Sequence, residues 1–518
     1  MNGRQSSWFR FPFRCLSTTR PSLTPLSVTP IVLAAISLWS AAAPAPAQEP
    51  SGLQAAIALE QVLTKAIETS EKSVVSIARS HREDLGLNEF RPEIMVRPGL
   101  MPMELPAQDP TNPDFVPNDF ATGVIVDRVG GIGYVVTNRH AIEGPGKIWI
   151  TTTARRPMQA EIVAEDLRYD LAVLRVKDLP AELPFPPIKF GDASKLKKGQ
   201  IVVALGNPYA IARDGQVSAS WGIISNLQRK LAPDAKADDL RDRRKTLHHF
   251  GTLIQTDAKL NLGTSGGALL NLQGEMIGLT TSQAAVAGFE QAAGYAVPVD
   301  DLFHRVVDTL KQGKKVAYGL LGVSTFALSA GERLSGMRGV RVDSVRNGSP
   351  AERAGLFPRD VITQVAGKPI DDVDGLMLQI GRQPAGAVTT IAVERDGRLF
   401  PINVTLAKFE VRGKAITTAP EPSWRGIKVD FPSAHPEADP QFNQGLHVGR
   451  PCVLVYEVEA NSPGWTAGMR RGMLITSIDG VAIENPDEFY EQAKKAKGEV
   501  ELRIASLPSQ PPVVKVGE

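Results

Sequence analysis

Ser265 sits between Gly263 and Gly267 in the run Asp257-Ala258-Lys259-Leu260-Asn261-Leu262-Gly263-Thr264-Ser265-Gly266-Gly267-Ala268-Leu269-Leu270-Asn271. A serine hydroxyl is a weak nucleophile until a neighbouring base takes its proton and a third group orients that base. The glycines serve another end. Gly263 can adopt backbone angles that other residues resist, which turns its N–H inward beside the N–H of Ser265. Two such groups make an oxyanion hole, where losing one donor costs about 10²–10³ in rate. The same pentapeptide also fits a plain glycine-rich turn with an exposed serine, so its partners decide the matter.

Gly263-x-Ser265-x-Gly267 fits the nucleophile elbow as well, which needs a strand before the serine, a helix after it, and acid and histidine downstream. Here Ala268 to Gly274 reads instead as a short buried strand ended by an Asn/Gly turn, followed by a second strand from Met276 to Thr281. Candidate partners lie upstream. Tyr134-Val135-Val136-Thr137-Asn138-Arg139-His140 places a histidine just after a buried strand. Leu167-Arg168-Tyr169-Asp170-Leu171-Ala172-Val173-Leu174 places a carboxylate directly before another. Taken singly, His140 reads as a satisfied core residue and Asp170 as a turn residue or cap. Taken with Ser265 they give the chain order His…Asp…Ser, which belongs to chymotrypsin-type barrels and not to subtilisin or the α/β-hydrolases.

The elements that must position these residues are short β-branched runs between turns: Gly123 to Val126, Tyr134 to Thr137, Ile148 to Thr151, Leu171 to Val176, Ile201 to Leu205 and Gly222 to Ser225. Strands at this spacing predict a sandwich or barrel. Leu53, Ile57, Leu63 and Ile67 predict an amphipathic helix over 52–69. Asp84 to Asn118 is Pro-rich and aperiodic, a functional loop or a disordered one. Arg229 to Lys245 carries seven basic and four acidic residues and reads as a solvated loop or short surface helix. The pair His248-His249 lacks metal-ligand partners at suitable spacing and reads as structural. Asp300 to Gln312 predicts a helix ended by Gly313. Beyond it Val345-Arg346-Asn347-Gly348-Ser349-Pro350-Ala351 returns 113 positions later as Val458-Glu459-Ala460-Asn461-Ser462-Pro463-Gly464, and Gly367 returns as Gly480. One repeated pair means two copies of a small domain rather than a solenoid.

The 518 residues suffice for about three domains. The net charge of +2 reflects the first 47 residues, which hold Arg4, Arg10, Arg14 and Arg20 and no acid; the remainder has 54 basic against 56 acidic side chains, a net of −2. A near-neutral body makes no electrostatic case for nucleic acid. The arginines precede an apolar core, Ile31 to Trp39, and an Ala45-Pro46-Ala47 site, the parts of a secretory signal peptide. That core falls short of the roughly 20 residues of a membrane span, so no transmembrane anchor is expected after cleavage. The acid-free start also suits an organellar transit peptide, the alternative to an exported or periplasmic location. Beyond it Cys452 stands alone, as buried filler beside Val453-Leu454-Val455.

The three segments resemble the signatures of the HtrA/Deg family of trypsin-like serine proteases, T-N-x-H, D-L-A-V-L and G-N-S-G-G. Ala204-Leu205-Gly206-Asn207-Pro208, Ile254 to Ala258 and Gly294 to Asp300 add lesser matches, and the repeated unit resembles the PDZ domains of that family. The fold implied is mostly β: a chymotrypsin-like double β-barrel protease domain followed by two PDZ domains, which are β-rich α+β units. The resemblance implies Ser265 as nucleophile, His140 as base, Asp170 as the orienting carboxylate, and the N–H groups of Gly263 and Ser265 as oxyanion donors. It implies ATP-independent cleavage of unfolded polypeptides with no metal or other cofactor, and homotrimers or multiples of them. The first PDZ copy would grip C-terminal peptides through Tyr318, Gly319, Leu320, Leu321 and Gly322, with helix Asp374 to Ile380 as the other wall. In the second copy Trp424 to Val429 fits loosely, leaving peptide binding and a structural role both open. Thr264 stands where the family has asparagine and Leu262 where it has proline; Thr280, Thr281 and Ser282 fall at the specificity pocket.

The domains expected are a signal peptide over 1–47, an N-terminal helix and Pro-rich loop over 48–119, the protease over 120–303, a linker helix over 304–317, the first PDZ domain over 318–411, a linker over 412–423 and the second PDZ domain over 424–518. A chaperone or PDZ scaffold that holds unfolded chains without cutting them is the alternative function.

Overall fold

The computed structural model describes residues 52–80, 117, 119–207, 215–233, 244–281, 293–437, 451–505 and 512–518. The expected signal peptide, nearly all of the Pro-rich stretch, Ser282 and the middle of the charged stretch lie outside these residues.

Helix α1 (Gly52–Ser70) is followed by twelve strands that form two closed antiparallel barrels. Strands β1 (Val74–Ser80), β2 (Asp119–Val129), β3 (Ile132–Asn138), β4 (Lys147–Thr151), β5 (Pro157–Asp166) and β6 (Leu171–Val176) close the first in the order β1-β2-β3-β6-β5-β4. Strands β7 (Ile201–Gly206), β8 (Ser218–Arg229), β9 (Leu253–Thr256), β10 (Ala268–Leu270), β11 (Met276–Thr281) and β12 (Gly294–Pro298) close the second in the order β10-β11-β12-β9-β8-β7. Where a second layer covers the outer face, as at β6 and β11, the strands are buried nearly throughout, whereas β4 and β8 alternate buried with more exposed positions. In β6 every residue except Arg175 is buried.

Two expected boundaries need correction. The protease fold does not begin at 120, because Val74-Val75-Ser76-Ile77 in β1 is wholly buried and pairs with both β2 and β4. Without that strand the first barrel would keep two open edges. Nor does a linker begin at 304. Helix α2 (Asp301–Lys311) is one element, capped by the Asp300 carboxylate, which accepts from the Phe303 N–H at 3.0 Å. It buries Leu302, Phe303, Val306, Val307 and Leu310 in a core shared with Val163, Tyr169 and Leu171 of the first barrel. Leu63 and Ile67 of α1 pack against the same core.

The two repeats fold alike. Strands Val340–Val345 and Val361–Val365 and helix Val373–Arg382 of the first recur as Val453–Val458, Leu474–Ile478 and Pro486–Lys495 in the second. Each copy has an edge strand, Val323–Ala327 or Ile427–Asp430, at the same end of its sheet. Residues 412–423 are not a free tether between them. Ile416 accepts from Glu165 N–H at 3.0 Å, Thr418 Oγ1 donates to the Val163 carbonyl at 2.9 Å, and Thr417 bridges to Ala164, so the stretch runs along β5.

The first repeat is seated on the first barrel through charge as well as apolar surface. Tyr318 Oη donates to Asp166 Oδ2 at 2.5 Å, and Asp166 also accepts from the Tyr169 N–H at 2.6 Å. Arg382 pairs with Asp300 at 2.8 Å. The Arg168 guanidinium lies 4.2 Å from the Phe409 ring centroid and 5.5 Å from that of Phe250. Burial is the largest influence on Asp166 and pushes its pKa up to about 6, against the pull of Tyr318 and the Tyr169 amide. The folded chain therefore holds this proton where the unfolded chain, with a carboxyl near 3.9, has released it. Stability lent by the proton is present at low pH and lost as pH rises through 6, a cost on the order of 2–3 kcal/mol. Asp166→Asn, which keeps the acceptor and removes the charge, is expected to gain thermal stability relative to the parent as pH rises from 4 to 8. A melting-temperature difference that is flat over that range would reject it.

Candidate active site

The register of the first barrel brings His140 and Asp170 together. Strands β3 and β6 pair with Thr137 opposite Ala172 and Asn138 opposite Leu171, so the turn after β3 and the residue before β6 share one barrel end. The turn Arg139–Ala141 is a single 3₁₀ step carrying His140. Its Arg139 N–H donates to the Asp170 carbonyl at 3.0 Å, and the His140 N–H donates to Asp170 Oδ1 at 3.0 Å. The imidazole Nδ1 then lies 2.7 Å from Asp170 Oδ2 and Nε2 lies 3.4 Å from Ser265 Oγ. Asp170 takes φ +54°, a left-handed conformation that aspartate tolerates better than most side chains. A carboxylate accepts only, so Nδ1 carries the proton and Nε2 faces the hydroxyl as an acceptor.

Ser265 comes from the loop between β9 and β10, and its position depends on a residue that no motif marks. Thr122 of β2 donates its N–H to the Ser265 carbonyl at 2.9 Å and its hydroxyl to the Gly263 carbonyl at 2.8 Å. The same hydroxyl accepts from the Asn207 N–H at 2.9 Å, and the Thr122 carbonyl accepts from Thr137 Oγ1 at 2.8 Å. Thr122 reads in the sequence as one more strand residue; its role follows from the meeting of two barrels, which periodicity does not encode. Gly263 has φ +94°, and a Cβ there would lie 2.7 Å from the Asn207 carbonyl oxygen. Gly266 has φ +83°, and a Cβ there would lie 2.1 Å from the Thr122 carbonyl oxygen. Both glycines are thus fixed by space as well as by angle.

Thr264 is buried and donates its hydroxyl to the Asn261 carbonyl at 2.6 Å, closing the loop upon itself. The Thr280 hydroxyl donates to the Thr264 carbonyl at 2.5 Å, so it supports the serine loop. His248 and His249 are buried and hydrogen-bonded; burial lowers the pKa of His248 to about 4, which keeps it neutral at pH 7. The described ends of the charged stretch are engaged: Lys230 pairs with Asp372 and Asp374, and Arg244 with Asp374, at the start of helix Val373–Arg382.

The five residues singled out in the first repeat divide. Tyr318 is turned toward Asp166 and serves the junction, whereas the Gly319 N–H donates to the Gln383 carbonyl at 2.8 Å within the first repeat itself. Leu320, Leu321 and Gly322 lead into the edge strand; Gly322 has φ +86° with Ser349 Cβ 2.3 Å from where its own Cβ would stand. In the second repeat Tyr490, on the helix wall, accepts from the Val429 N–H of the edge strand at 3.0 Å and donates to the Pro422 carbonyl at 2.8 Å.

The trypsin-like peptidase domain family matches residues 121–279, and the PDZ domain family matches residues 341–395 and 454–505. The chain is 32% identical over 391 residues to a probable periplasmic serine endoprotease DegP-like of Chlamydia trachomatis serovar D, covering 74% of this chain and 72% of that protein. It is 31% identical over 375 residues to the periplasmic serine endoprotease DegP of Escherichia coli K12, covering 71% and 70%. Among solved structures, the HtrA-type protease AlgW with tripeptide matches at 25% identity and a TM-score of 0.47, over 67% of this chain and 96% of that one.

Thr122→Val is expected to strand the Gly263 carbonyl and the Asn207 N–H and to cost about 1–3 kcal/mol of unfolding free energy. Thr122→Ser, which retains the hydroxyl, is expected to fall nearer the parent in urea denaturation. Parent-like stability in the valine variant would refute the cross-barrel role.

Proposed function

The chain belongs to the HtrA/Deg family of trypsin-like serine endoproteases, and on that premise we propose that it degrades unfolded or damaged exported proteins without ATP, using Ser265, His140 and Asp170. The observation that carries the reading is the continuous line from Asp170 Oδ2 through the imidazole to Ser265 Oγ, at 2.7 and 3.4 Å. Ser265 Oγ attacks the scissile carbonyl as His140 Nε2 takes its proton. The imidazolium then delivers that proton to the leaving amine, and Asp170 holds the tautomer and offsets the charge without being protonated. The N–H groups of Gly263 and Ser265 receive the oxyanion, with the Gly263–Thr264 peptide that lies between them held by the bond from Thr122 to the Gly263 carbonyl. Water admitted after the amine leaves hydrolyses the acyl-enzyme by the same proton path.

The first PDZ domain captures substrate or activating peptides by strand addition beside Val323–Ala327, the terminal carboxylate lying at Leu321 and Gly322. Tyr490 closes the corresponding groove of the second domain, because the Val429 N–H that an added strand would need is already spent. The second domain accordingly has a structural or assembly role. The basic, acid-free start and its apolar core support export to a periplasm-like compartment, and the family resemblance supports trimers.

Two measurements test these assignments. Turnover of a reduced, unfolded model protein is expected to fall by about 10³-fold or more in Ser265→Ala. Equal turnover by both proteins would remove Ser265 as nucleophile, and binding without cleavage by the parent would favour a holding role. A labelled peptide with a free apolar C-terminus is expected to occupy one site per chain, to be lost in Gly322→Val and to gain a second site in Tyr490→Ala. Two sites per chain in the parent would contradict the closed second groove.

A further inference from the structure

Asp170 must keep a left-handed backbone to present both carboxylate oxygens to His140, at 3.0 Å from its N–H and 2.7 Å from Nδ1. Residues with a side chain rarely adopt that conformation, which persists where neighbours impose it. The peptide joining Tyr169 to Asp170 is the unit that would swing if φ of Asp170 relaxed. Its carbonyl oxygen is held by His248 Nε2 at 3.0 Å. The preceding carbonyl, of Arg168, accepts from the Leu247 N–H at 2.8 Å, so consecutive residues of one 3₁₀ turn clamp consecutive peptides. A carbonyl only accepts, which places the His248 proton on Nε2 and leaves Nδ1 to accept from Thr252 Oγ1 at 2.6 Å. The imidazole is 2% exposed and lies 5.0 Å from the Tyr169 ring, centroid to centroid.

From this geometry we infer that His248 is a positioning residue for the hydrolytic reaction: by clamping the Tyr169 carbonyl it fixes the backbone of Asp170 and thereby the aim of the carboxylate at His140. The inference rests on the proposed roles of Ser265, His140 and Asp170. His248 touches neither substrate nor the reacting atoms. Its effect belongs in kcat and in the reactivity of Ser265, since no substrate-binding group depends on it.

The experiment compares the full-length mature protein with His248→Phe, His248→Gln and Ser265→Ala, reading kcat and KM on an unfolded substrate, the rate of Ser265 labelling by a fluorophosphonate, and melting temperature. Phenylalanine keeps the ring packing on Tyr169 and loses both hydrogen bonds; glutamine restores a donor at the distance of Nε2. His248→Phe is expected to lose about 10- to 100-fold in kcat and in labelling rate, the scale of a small misplacement, with KM within about twofold. His248→Gln is expected to recover most of that loss. Parent-like kcat in a folded His248→Phe protein, or glutamine and phenylalanine variants equally impaired, would overturn the inference. If the phenylalanine variant does not fold, His248→Gln and Thr252→Val, which both keep a donor to the Tyr169 carbonyl, decide together. Thr252→Val leaves the Nε2 clamp in place, so it is expected to keep kcat and labelling near the parent's. A deep loss there, or in a folded His248→Gln protein, which keeps the donor, would overturn the inference. Activity surviving in Ser265→Ala would instead bring down the assignment of the nucleophile, an outcome distinct from failure of His248.

Discussion

The N–H and hydroxyl of Thr122 are spent on the seam between the two barrels, and its carbonyl ties β2 to β3 within the first. Its N–H and hydroxyl donate to the carbonyls of Ser265 and Gly263, the hydroxyl accepts from Asn207, and its carbonyl accepts from Thr137. Two barrels that share only apolar surface can slide, because dispersion and hydrophobic contact are not directional. Hydrogen bonds are directional, and these join the serine loop of one barrel to the strand that pairs beside the histidine strand of the other. The 3.4 Å separation of imidazole and hydroxyl is therefore a property of the seam as much as of either residue. The glycines follow from the same constraint: Gly266 packs against Thr122 and Thr137 so closely that any Cβ would strike them.

Behind the site, the same barrel meets the first PDZ domain through groups that are costly to bury. Asp166, Tyr318, Arg168 and Arg305 lose solvent together, and burial is the largest influence on the pKa of each. Tyr318 and Asp166 are joined by a hydrogen bond, and a buried polar group left without its partner costs about 1–3 kcal/mol. A junction of this kind has a defined geometry and a poor tolerance for partial separation. It lies within four residues of Asp170, so the turn from Asp166 to Asp170 is at once a domain contact and the support of the site carboxylate.

Much of the fold was legible where chemistry or packing leaves a local pattern. The runs Leu171 to Val176 and Met276 to Thr281 are strands with those bounds, because a buried strand bounded by turns is a local signal. The echo at 113 positions matched helix to helix, Val373–Arg382 to Pro486–Lys495. What escaped depends on distant partners. Val74–Ser80 falls unmarked within the expected helix and loop region over 48–119, and only the barrel it closes identifies it as a strand. Tyr318 fits a peptide-binding loop by its neighbours, yet its hydroxyl is fixed by Asp166, 152 positions away. Thr122 carries no mark at all in a strand where threonine is ordinary.

The two PDZ domains differ at their grooves by the reach of a single side chain. Strand addition needs an edge with unspent backbone groups and a helix set back far enough to admit a chain. Both copies have the edge strand and the helix at matching positions, as the repeat requires. In the second, Tyr490 spans the interval, taking the Val429 N–H and passing its own proton to Pro422 of the stretch that leads in from the first domain. Opening that groove would break both of these hydrogen bonds, one partly buried and one exposed, before an added strand could bond to Val429. Such a residue ties the entry of the chain to the edge strand through one phenol. The sheet beneath it need not change, because the groove lies outside the core that defines the fold.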